Sequence, residues 1–325
     1  MDAFSDYPTR PRSRRGRFVG LLGWGLSLAL LALAGLVLRD RMDAVGRAGG
    51  LPGPLAVATA VVVYLVANAV LAEAWRRVVG LVGTDLHRRD AAWVWAASQL
   101  GRYAVGPAQV AGRAVLARRY GLSMTAGAVT ALAELAWLIS LTAVLAVATV
   151  PFWLPGAGDL TWLAAVAVVP AAALVVGITR PMLLIRTTGR LVTWAPIDKL
   201  TRGRLRGAAS RLRVGPRQAL ALTGIYATNN LLRFAAFLAL YAGVGGDVAD
   251  DGLRAVGAYS VGQLVGWLAV FAPGGLGPRE GATALVIAPA IGGGPALLLV
   301  AVVRLLELVS ELAFFAIARM LRRPR

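Results

Sequence analysis

Ten charged side chains lie inside long apolar blocks of this sequence. The arginines are Arg102, Arg113, Arg233, Arg279 and Arg304, and the acids are Glu73, Glu134, Glu280, Glu307 and Glu311. If such blocks cross a bilayer, a charge at the centre costs about 2.5 to 3.5 kcal/mol on insertion scales, so we expect pairing or contact with cavity water. Glu307 follows Arg304 by three residues, which permits an internal pair as readily as a substrate role. Arg102 is long enough to reach the cytoplasmic surface.

The stretch PGGLGPRE, residues 273–280, combines helix-breaking residues with a charged pair. Its glycines and charges are Gly274, Gly275, Gly277, Arg279 and Glu280. The glycines let the chain reverse tightly, and Pro278 suits the first turn of a new helix. The N–H groups and the dipole at such a helix start favour an anion, and the arginine strengthens that site. We therefore favour a substrate-binding role for the charged pair over a purely structural one.

A similar break occurs earlier in the chain. Gly106-Pro107-Ala108-Gln109 interrupts the apolar block 91–117, as Gly277-Pro278-Arg279-Glu280 interrupts the block 253–290. We predict that each block is a re-entrant hairpin, the first entering from the cytoplasmic face and the second from outside. Opposed hairpins are typical of inverted-repeat transporters, in which broken helices meet near the midplane around a substrate. Irregular backbone at that depth also predicts a polar cavity.

Composition identifies the apolar blocks as membrane-spanning segments. Hydrophobic residues make up 58% of the 325 residues and charged residues 15%, against roughly 25% charged in a typical soluble protein. We predict an all-α integral membrane protein with the two hairpins and six full transmembrane helices, at 18–38, about 52–75, 123–150, 160–179, 218–243 and about 295–318.

This organisation divides the chain into a basic cytoplasmic tail, 1–17, and a single membrane domain, 18–325. Within that domain a first repeat half of about 52–179 and a second of about 218–318 flank a basic connector, 180–217. The connector suits amphipathic helices on the inner leaflet and a solvated basic loop equally well.

The net charge of +18 comes from 34 basic residues, most of which lie between the apolar blocks. Basic loops stay in the cytoplasm, so we place both termini there, in the inner (cytoplasmic) membrane, and set nucleic-acid binding aside. Four arginines fall in predicted external loops: Arg39, Arg41, Arg47 and Arg254.

The chemistry available to the chain is narrow. The sequence has no cysteine and one histidine, His87, in a predicted cytoplasmic loop. It contains no paired-carboxylate motif, no nucleotide-binding glycine loop and no zinc pattern. We therefore expect no cofactor, no metal and no catalytic residue, and classify the protein as non-enzymatic.

The two breaks resemble the signatures of a known family. PGGLGPREG is similar to the second signature of the lysylphosphatidylglycerol synthase transmembrane (flippase-like) family, which is close to PGGLG, a variable residue and Glu. YAVGPAQVAGRAVLARRYGLS resembles the first signature, with Arg113 matching the family Arg and Glu134 its later Glu. Gln109 stands where the family has Glu, or that Glu is lost. The resemblance covers essentially the whole chain.

The resemblance implies a lipid flippase that moves an anionic lipid or a polyprenyl-phosphate-linked headgroup between leaflets. The substrate-binding residues would be Gln109, Arg113, Glu134, Gly274, Gly275, Gly277, Arg279, Glu280, Arg304 and Glu307. Synthase members carry a further aminoacyl-transferase domain, which is not found in this chain, so we do not expect lipid synthesis. The expected partners are a membrane phospholipid or polyprenyl-phosphate lipid and enzymes of envelope biosynthesis.

Two alternatives stay open at this point. One is a membrane enzyme that performs glycosyl or phosphoryl transfer on a polyprenyl phosphate, for which the buried glutamates supply the only acids. The other is an accessory scaffold of a cell-envelope biosynthesis complex, with the connector as its docking surface.

Overall fold

The computed structural model describes residues 50–103, 108–154, 214–269 and 272–322. Within these ranges the chain is all-helical, as expected, and has no β-strand. Its eight α-helices are α1 (Pro54–Gly80), α2 (Arg88–Gln99), α3 (Ala108–Ala117), α4 (Met124–Ala148), α5 (Pro216–Gly243), α6 (Val248–Leu268), α7 (Pro278–Ile291) and α8 (Gly293–Leu321). Short 3-10 turns lie at Leu100–Tyr103, Arg118–Tyr120, Val150–Phe152 and Pro273–Gly275.

Proline and polar caps set the starts of the long helices. Pro54, Pro216 and Pro278 each lie in the first turn of a helix, directly after a glycine. Proline is favoured there because its missing N–H has no intrahelical partner to lose. The side chains of Ser123 and Asp247 instead accept first-turn N–H groups at the starts of α4 and α6. The prediction that Pro278 opens a new helix is confirmed.

Four helices of membrane-crossing length correspond to predicted spans, and a fifth, α6, has 21 residues and lies in the block of the second predicted hairpin. Among the described helices, α1 and α4 are both long enough and apolar enough to cross a membrane. α5 and α8 have 28 and 29 residues and therefore extend about 42 to 44 Å. These four correspond to predicted spans at 52–75, 123–150, 218–243 and 295–318. The predicted spans 18–38 and 160–179, the tail and nearly all of the connector lie outside the described residues.

The described helices follow one four-helix plan twice. Each half, α1–α4 and α5–α8, is a long helix, two helices separated by a break, and a second long helix. The two leading helices, α1 and α5, pack on each other. α2 packs on α8 as α6 packs on α4, and these two contacts exchange when the halves are exchanged. The packing therefore has the pattern of a two-fold repeat.

The two breaks meet in the interior. We call residues 100–107 the first break and residues 269–277 the second break. The 3-10 turn of the first break packs against the 3-10 turn of the second. At Gly275, φ is +72° and an added Cβ would lie 2.8 Å from the backbone of Gly266, so only glycine fits. Gly106 and Pro107 of the first break lie outside the described residues.

Candidate functional site

Glu307 of α8 is the centre of a buried ionic cluster in the second half. Arg279 Nη2 donates a hydrogen bond to Glu307 Oε1 at 2.7 Å, and the hydroxyl of Tyr259 donates to the same oxygen at 2.8 Å. Arg233 Nη1 lies 3.6 Å from that oxygen. The Glu307 side chain is 1% exposed, so its charge is balanced almost entirely by protein groups.

Arg304 lies beside this centre and is bonded more loosely. Its Nη2 donates to the carbonyl oxygen of Gly274 in the second break at 2.7 Å. Its Nη1 is 3.7 Å from Glu307 Oε2, so the pair expected from the three-residue spacing exists but is longer than the Arg279 contact. That Nη1 is buried and has no hydrogen-bond partner in the described part of the chain. The Arg304 guanidinium also lies over the ring of Tyr103, 5.2 Å from its centroid.

Glu280 closes the start of α7. Its Oε2 accepts the backbone N–H of Gly277 at 2.7 Å, and its Oε1 lies 3.5 Å from Arg304 Nε. Sequence reasoning predicted an open anion site at this helix start. The structure instead shows the chain's own carboxylate there, because a glutamate at the third helical position can bond back to the N-cap N–H.

We refer to Arg233, Arg279, Arg304, Glu280 and Glu307 as the charged cluster. Its three arginines and two glutamates carry a net formal charge of +1. Arg304 lies about 16 Å along α8 from its first residue, Gly293, and thus well inside a helix of membrane-crossing length. The cluster is therefore a positive site deep in the molecule.

A small cleft opens beside the charged cluster. Its lining residues are Phe237, Tyr259, Arg279, Glu280, Thr283, Val300, Val303 and Arg304. Arg279, Glu280 and Arg304 form the charged side of the cleft, and Phe237, Val300 and Val303 form its apolar side. Within the described ranges, no group of three or more His, Cys, Asp or Glu side chains could hold a metal ion.

The first half contains a smaller ionic site. We call Arg113 and Glu134 the first pair; Arg113 Nη1 donates to Glu134 Oε1 at 2.8 Å, and the side chains are 0% and 2% exposed. Trp95 Nε1 donates to the same carboxylate at 3.2 Å, and Arg113 Nε donates to Ser98 Oγ at 3.0 Å. The guanidinium also lies over the rings of Trp75 and Trp95. The first pair is enclosed by protein groups and does not line the cleft.

The first break is tied to α8 by Glu311. Arg102 Nη2 donates to Glu311 Oε1, and the hydroxyl of Tyr103 donates to Glu311 Oε2 at 3.0 Å. Arg102, which is long enough to reach the cytoplasmic surface, thus pairs with a carboxylate two turns after Arg304 on α8 while its side chain stays 24% exposed.

The predicted residues thus divide between the two sites. The second break and its cluster bring together Gly274, Gly275, Gly277, Arg279, Glu280, Arg304 and Glu307. The first pair lies apart from them, and Gln109 lies, partly exposed, in the first turn of α3. Glu73 pairs with Arg76 and Arg77 at the end of α1 and does not belong to either site.

Sequence reasoning missed the neutral residues around the charged cluster. Asn68 and Asn229 accept hydrogen bonds from Arg233 at 2.9 and 3.1 Å, and Gln263 donates to the Tyr259 hydroxyl at 2.7 Å. The signal was present, because an amide inside an apolar helix also needs a partner.

The described part of the chain is thus all-helical, with buried charges and two helices long and apolar enough to cross a membrane. The sequence profile of the family described as the lysylphosphatidylglycerol synthase TM region matches residues 17–314. The chain belongs to this family, which confirms the resemblance carried by the two breaks. No curated protein and no solved structure matches the chain.

Proposed function

We propose that the protein is a lipid flippase that moves an anionic lipid or a polyprenyl-phosphate-linked headgroup between leaflets. The headgroup would pass through the cleft beside the charged cluster while the lipid tails stay in the bilayer. The observation that carries the proposal is the net positive cluster next to a partly apolar cleft, deep along helices of membrane-crossing length.

Phosphate is the headgroup chemistry that the cluster favours. Arginine presents several N–H donors in a fixed plane and matches phosphate oxygens better than a point charge does. Arg279 and Arg304 both line the cleft, and Arg304 has a buried donor, Nη1, that makes no hydrogen bond to any described residue. A phosphate in the cleft would satisfy that donor.

In the proposed membrane arrangement, the blocks around both breaks are re-entrant hairpins that enter the bilayer from opposite faces. The protein lies in the inner membrane, and both termini are in the cytoplasm. Supporting this arrangement are the repeated four-helix plan, the contact between the two breaks and the basic residues at the ends of α1 and α8. Broken helices that meet in the interior are the usual frame of a midplane substrate site.

Translocation in liposomes tests the proposal. Phosphatidylglycerol with a fluorescent headgroup-side label would be reconstituted with the protein, and a membrane-impermeant reductant would report the fraction reaching the outer leaflet over time. We expect Arg304→Gln to slow translocation about tenfold or more, because a charge-assisted hydrogen bond contributes about 1.5 to 3 kcal/mol. Arg77→Gln, a matched change at a half-exposed position, should keep the parent rate. Parent protein that translocates no faster than empty liposomes would end the proposal.

A further inference from the structure

The start of α7 is already occupied by an anion of the chain itself. The Gly277 N–H donates to Glu280 Oε2 at 2.7 Å, and Arg304 Nε faces Glu280 Oε1 at 3.5 Å. This oxygen, although buried, accepts no hydrogen bond from any described residue. A helix N-terminus and an arginine are the two groups that would hold a ligand's phosphate, and a carboxylate stands between them.

We propose that Glu280 is a specificity-determining residue, an inference that rests on the anionic-lipid transport proposed above. Its carboxylate occupies the binding position, or seat, of a lipid phosphate monoester and is displaced when that lipid binds. The seat consists of the Gly277 N–H, the Arg304 guanidinium and the adjoining cleft. The ligand class is thus a lipid whose headgroup ends in a terminal phosphate.

The geometry permits Glu280 to leave. Its side chain is 21% exposed, against 7% for Arg304 and 1% for Glu307, which makes it the most accessible member of the charged cluster. A single hydrogen bond, to the Gly277 N–H, holds it among the described residues. A rotation of its side chain away from the Gly277 N–H and out to the solvent would release the seat without moving α7.

Arg304 supplies the reason for a ligand to enter. Its Nη1 is buried with no hydrogen bond to any described group, and its two carboxylate neighbours lie at 3.5 and 3.7 Å, beyond good hydrogen-bond length. A buried unpaired donor is costly, so a phosphate oxygen that reaches Nη1 is favoured over the present arrangement.

Charge then selects the kind of phosphate. With Glu280 turned out to the solvent, three arginines face Glu307 alone, and the net charge of the cluster rises from +1 to +2. A phosphate monoester carries a charge of about −1.5 to −2 at pH 7 and neutralises this site. A phosphodiester carries about half of that charge and competes less well with the Glu280 carboxylate.

Calorimetric titration of the detergent-purified full chain tests the inference. The probes are short-chain phosphatidic acid, a monoester, and short-chain phosphatidylglycerol, a diester with the same acyl chains. We expect the parent protein to bind the monoester more tightly. Glu280→Gln keeps an oxygen for the Gly277 N–H but removes the competing charge, so the affinity for phosphatidic acid should rise about tenfold.

Three variants make the result specific. Glu73→Gln removes the same charge outside the cluster and should leave the affinity unchanged. Glu280→Asp keeps the charge and should stay close to the parent, so that it serves if the glutamine variant does not fold. Arg304→Gln should lower the affinity about tenfold or more.

Several results would overturn the inference. If a folded Glu280→Gln protein binds phosphatidic acid no more tightly than the parent does, the Glu280 carboxylate does not compete with the phosphate. If the parent binds phosphatidylglycerol as tightly as phosphatidic acid or more tightly, the site does not prefer a phosphate monoester. If neither the parent nor any variant binds phosphatidic acid, the seat is not a phosphate site. If binding follows the prediction while liposomes show translocation of neither labelled phosphatidylglycerol nor labelled phosphatidic acid, the seat stands and the proposed transport fails.

Discussion

The two halves of the molecule place the same kind of ion pair in different surroundings. In each half, an arginine from the helix after the break meets a glutamate of the following long helix, and an aromatic residue before the break donates to that glutamate. The first pair is neutral and sealed by tryptophans. Among the described residues each site has one buried arginine nitrogen without a hydrogen-bond partner, Arg113 Nη2 and Arg304 Nη1, but only the charged cluster has a surplus arginine and lines a cleft.

The difference teaches that enclosure, not the presence of a buried charge, separates a structural pair from a binding site. Arg113 also has an unused donor, Nη2, but its side chain is 0% exposed, so a ligand has no space to reach that donor. A charge with an unused donor next to open space has both the reason and the room to bind one. Proximity to a signature motif does not make this distinction, since both sites lie beside a break.

The largest expected difference comes from removing both charges at each site. Arg113→Met with Glu134→Leu should preserve lipid translocation, because apolar replacement of a whole buried pair is often neutral. Arg279→Met with Glu307→Leu should abolish translocation in the liposome assay. If the first double variant folds and transports nothing, the first pair belongs to the transport path, and the contrast between the halves fails.

Removing only one charge of the first pair should lower stability sharply. Glu134→Leu leaves Arg113 buried without a counter-ion, and we expect a loss of about 3 to 5 kcal/mol in the free energy of unfolding, measured in mixed detergent micelles. The double variant at this site should recover most of that loss. A single variant as stable as the parent would show that water reaches this arginine.

Two glycine substitutions near the second break should change the free energy of unfolding by intermediate amounts and in opposite directions. Gly275→Ala forces a Cβ to within 2.8 Å of backbone at a positive φ, so we expect a loss of about 1 to 3 kcal/mol in the free energy of unfolding. Gly281→Ala lies within α7, where an added Cβ meets nothing within 4 Å, and should stabilise by about 0.5 to 1 kcal/mol. Equal responses would mean that the backbone of the break is not constrained.

The smallest expected loss of stability concerns the hydroxyl of Tyr103, which bonds the first break to α8. Tyr103→Phe keeps the ring under Arg304 but removes the hydroxyl, which donates to Glu311 at 3.0 Å and accepts from Arg102 at 3.1 Å. We expect a loss of about 1 to 2 kcal/mol in the free energy of unfolding, because two hydrogen bonds are lost while Arg102 and Glu311 stay paired. A variant as stable as the parent would show that the hydroxyl contributes nothing to this contact.

The sequence was sufficient for features that depend on local chemistry. The second break follows from glycines and proline within a few residues, and the long helices follow from apolar length. The partners of the buried charges depend on how distant helices pack, which one sequence does not reveal. Arg102 and Glu311 are 209 residues apart, and their pairing could not be predicted for this reason.

The anion site shows a subtler limit. Sequence alone identified the favourable start of α7 but not its occupant, although Glu280 stands at the helical position from which a side chain bonds back to the cap. That local rule was available and was not applied. The unused donor of Arg304, in contrast, depends on its distances to Gly274, Glu280 and Glu307 and required coordinates.

Three charged residues on one face of α8 connect this helix to three other parts of the molecule. Arg304, Glu307 and Glu311 lie on one face of the helix and bind, in turn, the second break, α7 and the first break. Turning α8 about its axis by the angle of one residue, about 100°, would carry all three away from their partners together. The three contacts are therefore coupled through α8, because a rotation large enough to break one of them would also break the other two.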